Sequence, residues 1–334
     1  MSFYRAALLV AVSLGAACAQ DVISAKSGMI HYTEGVVTLD GVEVVKKNSA
    51  DFPAMKEGAE LKTTMGRAEV LLSPGVFMRV AENSGVRLVK NDILDTQLGI
   101  TGGSLLIEVS EAEKNSALSV AVGETKLDLG RRGLYRIDFS PAQVRVYNGS
   151  ALAVAGGQTV TVKEGKEATL NTAVIVQSKF DKEETDAFYR WASRRSGYIA
   201  SANLSAAKRT YDNGTSMAYS NWMYNPYFGM FTYMPYRGLY HSPFGYSYFS
   251  PGAVANVFYR PVYNSPSSGG FGGGGMDAGR GMSDMGGRSS GGSYSSGSTM
   301  SAPAVSSAPA AAAAGARGGD GGGGGGGRGA GGGR

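Results

Sequence analysis

From Gly28 to about Val176 apolar and polar residues alternate in short runs: "GVVTLDGVEVV", "RAEVLLSPGVFMRV", "SGVRLV", "GGSLLIEV", "GLYRIDFSPAQVRVYNGSALAV" and "QTVTVKEGKEATL". A period of two is that of a strand with one buried face. In "LYRIDF", Tyr135, Ile137 and Phe139 fall on one side, Arg136 and Asp138 on the other. Turn formers separate the runs at Ser73-Pro74-Gly75, Asn83-Ser84-Gly85, Asn148-Gly149, Gly156-Gly157 and Glu164-Gly165, and Asn-Gly is a strong hairpin signal. Gly133, Pro141, Gly149, Gly157 and Gly165 follow one another at equal intervals. Short strands joined by tight turns at that interval predict one all-β domain over 28–176, a sandwich, small barrel or β-solenoid.

The pattern then lengthens. In "SKFDKEETDAFYRWASRRSGYIASANLSAAKRTYDNG" the apolar residues Phe188, Trp191, Tyr198, Ile199 and Ala202 recur at helical intervals. Asp181 with Glu184 reads as a capping box, Asp186 with Arg190 as an i,i+4 pair, and Lys208 and Arg209 suit a C-terminal turn. An amphipathic helix is predicted over 178–212, with a bend at Gly197.

Residues 215–262 are crowded with Tyr and Phe and broken by Pro226, Pro235, Pro243 and Pro251, which exclude a long helix. An irregular segment without its own periodicity cannot hide so much ring area in itself. Three roles compete: a pad packed on the β-domain and helix, a sugar-stacking surface, and a membrane-interface belt. Packing is the reading adopted. Phe188, Trp191, Tyr198, Trp222, Tyr227, Phe231, Tyr236 and Tyr240 are the candidate packing or partner-contact residues. The Gly/Ser/Ala-rich stretch 265–334 has too little apolar content to offset the entropy of ordering and is predicted to be disordered.

The N-terminus changes the picture of location. Arg5, the apolar run Ala6–Leu14 and the small residues Ala17-Cys18-Ala19 read as a signal peptide over 1–19. The apolar run is shorter than the roughly 20 residues a span needs, and no later segment is continuously apolar. Cys18 leaves lipidation as an alternative to cleavage after Ala19, although Leu14 stands one step too far from it. With cleavage the mature chain has no Cys and its stability must come from packing.

Little chemistry stands out. A net charge of +5, two His and one Cys among 334 residues, and no Gly-rich phosphate loop, leave nucleophilic triads and metal clusters unsupported. No cofactor and no metal is expected, and an enzyme is not. The acids Glu108, Glu111 and Glu113 read as a solvated loop, not as a glycosidase pair, and His31 as an ordinary strand-edge residue. The tail from Ser265 carries five Arg against three Asp, too few cations for strong phosphate contact, so nucleic acid is not an expected partner.

"GVVTLDG", "MKEGAELKTTMGRAEVLLSPGVFMRVAENSGVRLV", "GGSLLIEV" and "VRVYNGSALAVAGGQTVTVKEGKEATL" together resemble the FecR domain, a periplasmic β-domain of iron-siderophore uptake regulators. Gly58 to Thr63, Arg67 to Leu72, Gly75 and Val76 to Val80 meet the pattern, over roughly residues 28–172. The resemblance implies an exported protein of a Gram-negative-type envelope, periplasmic, outer or secreted, that binds an envelope protein or cell-wall glycan. The alternative it implies is a periplasmic signalling component of the FecR type. The family's cytoplasmic sigma-factor-holding part has no counterpart in the quoted motifs. Oligomeric state is not read from these residues.

Overall fold

The computed structural model describes residues 27–45, 51–111, 116–170 and 174–259; the expected leader 1–19 and Gly-rich tail 265–334 lie outside them. Contacts divide the chain between Ser265 and Pro266, and every described residue belongs to the first unit.

The alternating runs become fifteen strands: β1 (Met29–Leu39), β2 (Val42–Glu43), β3 (Glu60–Leu71), β4 (Val76–Val80), β5 (Gly85–Asn91), β6 (Asp95–Gly102), β7 (Ser104–Val109), β8 (Ala117–Val122), β9 (Thr125–Asp128), β10 (Gly133–Phe139), β11 (Ala142–Asn148), β12 (Ser150–Ala155), β13 (Gln158–Lys163), β14 (Lys166–Thr169) and β15 (Val176–Lys179). They form one sheet in the order β13-β12-β9-β8-β6-β5-β3-β4-β7-β10-β11-β14-β15, with β1 and β2 branching from β3. All pairs are antiparallel except β6 with β8. The turn at Glu164-Gly165 joins β13 to β14, near the two ends of the strand order, so the sheet curls until it is nearly closed. Its inner face encloses one apolar core, to which Val162 of β13 and Ala168 of β14 both belong. A single curled sheet, antiparallel but for one pair, is thus how the equal turn spacing is realised.

The outer face decides the rest of the architecture. In β4, Val76, Met78 and Val80 point into the core while Phe77 and Arg79 point away, yet all five are buried. A strand buried on both faces needs a cover. The cover is the helix α1 (Ala187–Asp212) and the aromatic segment, which folds as two short hairpins: β16 (Asn221–Asn225) with β17 (Met230–Met234), and β18 (Leu239–His241) with β19 (Ser247–Phe249). A one-turn helix, α2 (Pro251–Val254), follows, with Ser250 as its cap. The segment expected to be irregular therefore pairs locally. Gly229, Gly238 and Gly245 hold positive φ where the chain turns.

Two apolar contacts seat the cover on the sheet, and a third binds its parts together. Leu71 and Phe77 pack against Ile199, Trp222, Phe231, Tyr233 and Tyr248. Leu106, Leu134 and Tyr147 pack against Phe188, Trp191 and Ala192. Ala206 and Ala207 receive Met234 and Val254. The helix differs from expectation at its start and middle. Its N-cap is Asp186, which accepts the Tyr189 N–H at 2.8 Å, while Asp181 caps an earlier turn by accepting the Glu183 N–H, so no capping box forms. Asp186 pairs with Arg136, not Arg190, whose guanidinium donates to the Thr185 carbonyl. The helix runs unbroken through Gly197. That glycine admits the Tyr246 ring, because a Cβ there would stand 3.0 Å from Tyr246 Cζ.

Cutting the chain after Asn213 removes both hairpins and uncovers Phe77 and Ile199 at once. The shortened protein is expected to melt earlier or aggregate in a thermal scan, because a buried aromatic such as Phe231 contributes about 3–5 kcal/mol. An unchanged melting temperature would show that the segment is not part of the fold's stability.

Candidate functional site

Beneath α1 the outer face carries charge where apolar residues would be expected. In the β1/β3 ladder Ile30 pairs with Val70 and Tyr32 with Glu69, so His31 is an extra residue in a bulge and turns to the same side as Glu69. Glu69 stands opposite Arg79, and Phe77 opposite Glu108, which places Arg79 and Glu108 on one face. Glu69, Arg79 and Glu108 are each 0% exposed.

The groups form one connected chain. Arg79 donates from Nε to Glu69 at 3.0 Å and from Nη1 to Glu108 at 2.8 Å, and Nη2 reaches Ser196 Oγ on α1 at 2.8 Å. Arg195 of α1 donates to Glu69 Oε1 at 2.8 Å, its guanidinium lying 4.1 Å from the centre of the Tyr32 ring. Ser196, Ser110 and Ser242 all donate to Glu108. His31 Nε2 accepts the backbone N–H of Phe231 at 3.0 Å, which puts the ring proton on Nδ1, donating to Glu69 at 2.9 Å. With His31 neutral, two carboxylates balance two guanidiniums.

The electrostatics follow from that balance. Burial alone pushes the Glu69 carboxyl up, but Arg195, Arg79 and the His31 hydrogen bond outweigh it and hold it well below its ordinary 4.5. Burial likewise opposes the charge on Arg79, and Glu108 and Glu69 more than restore it. Next to them the buried Tyr248 hydroxyl is pushed well above its usual value by desolvation and then by Glu108. Every oxygen of Glu69 and Glu108 is engaged and closed from solvent, so neither presents a face to a substrate.

These positions overturn two expectations. His31 is not an edge residue: it is 2% exposed, because the bulge turns it inward to Glu69. Glu108 is not in a solvated loop but inside β7, and Glu111, just beyond it, accepts the Tyr233 hydroxyl and, at 2.9 Å, that of Ser220. Glu113 lies outside the described residues.

A different place is open to solvent. A cleft of about 1160 Å³ lies where the cover meets the sheet. One wall comes from the turn before β10, with Gly130, Arg131 and Arg132, and from Ser110 and Glu111 at the end of β7. The other comes from Tyr219 and Ser220 ahead of β16 and from Tyr236 to His241 around β18. Arg132 ties the walls together by donating to the His241 carbonyl at 2.8 Å. The Arg237 guanidinium lies 5.8 Å from the centre of the Tyr236 ring. A second hollow of about 430 Å³ shares Ser116, Gly130 and Arg131 and extends the groove past Asp128 to Leu152 and Thr161.

The candidate aromatics divide between these environments. Phe188, Trp191, Trp222 and Phe231 are buried packing residues; Trp191 also donates from its indole to Glu34 at 2.8 Å, and Trp222 to the Leu72 carbonyl. Tyr198 is exposed on α1, off the buried stripe, and Tyr227 is 87% exposed at the tip of the first hairpin. Tyr236 and Tyr240 are in the cleft. Sequence reasoning missed Arg131, Arg132, Arg237 and Tyr219, which come together only in three dimensions. It also passed over Glu69, Arg79 and Glu108, although a lone charge inside "AEVLL", "GVFMRV" and "SLLIEV" was a visible signal.

Among the described residues no group of three or more His, Cys, Asp or Glu is placed to hold a metal ion, and no helix is long and apolar enough to cross a membrane. No family profile and no curated protein matches the chain. Two crystal structures of a putative anti-sigma factor from Parabacteroides distasonis ATCC 8503, at 2.50 and 1.65 Å resolution, are similar to it with a TM-score of 0.33 at 10% identity. The match covers 37% of this chain and 61% of that one, so the chain spans less than two thirds of that protein's length.

Two measurements test the buried chain. Because the folded Glu69 value is depressed, its contribution is full above the ordinary carboxylate value of 4.5 and fades as pH falls through the depressed one. Glu69→Gln is therefore expected to melt well below the parent at neutral pH, with the gap narrowing in melts taken under about pH 4. Arg79→Leu leaves two buried carboxylates facing each other and is expected to lose about 3–5 kcal/mol in denaturant unfolding. A loss near zero would show that the carboxylates find solvent.

Proposed function

We propose that this chain is a non-catalytic binding protein of a bacterial cell envelope, a FecR-like β-domain whose open cleft takes an envelope protein or glycan. The observation that carries this reading is the contrast between the two charged sites. Of the acids that hydrolysis would require, Glu108 is locked inside and Glu111 is held by two hydroxyls, whereas the exposed groups in the cleft are mostly arginines and tyrosines, residue types that bind partners more often than they react. The walls are preset by the Arg132–His241 and Glu111–Ser220 bonds, which lowers the ordering cost on binding. Export and the FecR-like assignment rest on the signal-type N-terminus and the strand motifs of the sequence. The signalling alternative places the same cleft against a regulator in the inner membrane.

The purified protein is expected to co-sediment with an outer-membrane and cell-wall fraction, and Arg131→Ala/Arg237→Ala to reduce the bound amount at least tenfold. Isolation of an inner-membrane regulator in its place, from detergent-solubilised envelopes, would favour signalling. Co-sedimentation that the double variant leaves untouched would remove the cleft from the interaction.

A further inference from the structure

The arginines of the β-domain fall into two groups. Arg67, Arg79, Arg87, Arg136 and Arg145 each sit within 4 Å of a carboxylate, on Glu82, Glu69 and Glu108, Glu60, Asp138 and Glu167 respectively. Arg131 and Arg132, adjacent in sequence and both exposed, have no carboxylate partner among the described residues, and neither has Arg237 across the cleft from them. The one acid lining that cleft, Glu111, is already accepting two hydroxyls. Three guanidiniums thus line one groove that holds a single carboxylate.

The same groove carries exposed ring faces. Tyr219 and Tyr236 are 59% and 46% exposed, and Tyr240 is half-buried beside them. A tyrosine in such a place offers an apolar face and a polar rim. Sugar rings match that pair, since their axial C–H groups pack on a ring face while their hydroxyls meet polar groups such as the exposed His241 on the wall. The volume also speaks for a chain: the main cleft alone exceeds the roughly 300–1,000 Å³ of small-molecule pockets, and the hollow beyond Arg131 prolongs it.

Resting on the binding function proposed above, the geometry points to a carboxylate-bearing acidic polysaccharide as the ligand of this cleft. Guanidinium forks hold the uronate-type carboxylates in two-point contacts, and Tyr236 and Tyr219 hold the sugar faces. A nucleic-acid strand fits less well. It draws its affinity from many cations, and this groove brings three arginines.

The test titrates the full chain with polygalacturonate, with neutral dextran and with a single-stranded DNA oligonucleotide at one ionic strength. Polygalacturonate is expected to bind at least tenfold more tightly than either of the others. Arg131→Ala/Arg237→Ala is expected to weaken it at least tenfold, and Tyr236→Ala several-fold, with melting temperatures unchanged because all three side chains are exposed. Equal binding of dextran, tighter binding of DNA, or a double variant that binds polygalacturonate like the parent overturns the proposal. If polygalacturonate fails to bind while the double variant still loses the envelope fraction, the acidic-glycan ligand is wrong and the binding role of the cleft stands. If the double variant keeps the envelope fraction as well, both fall.

Discussion

Arg79 is held between Glu69 and Glu108 with none of the three reaching water, and the rest of the cover is arranged around that fact. A guanidinium and two carboxylates out of solvent are expensive unless every donor and acceptor is met. The sheet alone cannot meet them. Arg195 supplies the second positive charge and Ser196 a hydroxyl from α1, His31 a ring N–H from the bulge, Ser242 a hydroxyl from the second hairpin. Apolar contacts would let a helix of 26 residues slide or rotate on a flat sheet at small cost. The polar chain admits one register, because any shift strands a charge.

The hairpins are fixed to the helix by the same kind of bond. Asn203, buried on α1, donates to the Tyr233 and Phe249 carbonyls and accepts the Phe249 N–H, clamping both hairpins with one amide. Asn225 donates to the Ala202 carbonyl and Thr232 to that of Ile199. These helix carbonyls are already in the helical ladder, so the side chains use their second lone pairs. Aromatic area supplies the burial and the amides supply the position. Phe231 belongs to both systems: its ring packs with Phe52 and Tyr224 while its N–H fixes the His31 tautomer.

The strand content was legible because alternation is local: each run of the β-domain carries its own period, and Gly149 and Gly165 mark turns wherever the partner strands go. The curl of the sheet was not, since pairs such as β6 with β8 join residues whose order no turn dictates. At the site, the division of the aromatics into buried Trp222 and Phe231 and exposed Tyr227 and Tyr236 depends on hairpin register, which Pro226 and Gly229 alone do not set. His31 was unreadable for a sharper reason: without the bulge it would alternate with Ile30 and Tyr32, and one inserted residue reverses the face. Arg79 differed. A charge inside the apolar run "VFMRV" is a conflict visible in the sequence, and such conflicts mark where a second layer must dock.

The buried chain and the open cleft share backbone. β7 leads from Glu108, inside the ionic chain, through Ser110, which donates to it, to Glu111 on the cleft wall. On the opposite wall His241 offers its carbonyl to Arg132, and the next residue, Ser242, donates inward to Glu108. Each wall is therefore within three residues of the same buried carboxylate or of a side chain bonded to it. A groove formed only by loop tips would have to order itself around a ligand and lose affinity in doing so. Here the separation of Arg131 and Arg132 from Arg237 is set by a unit that cannot shift without uncovering charge, so the energy that fixes the helix on the sheet also fixes the spacing of the guanidiniums.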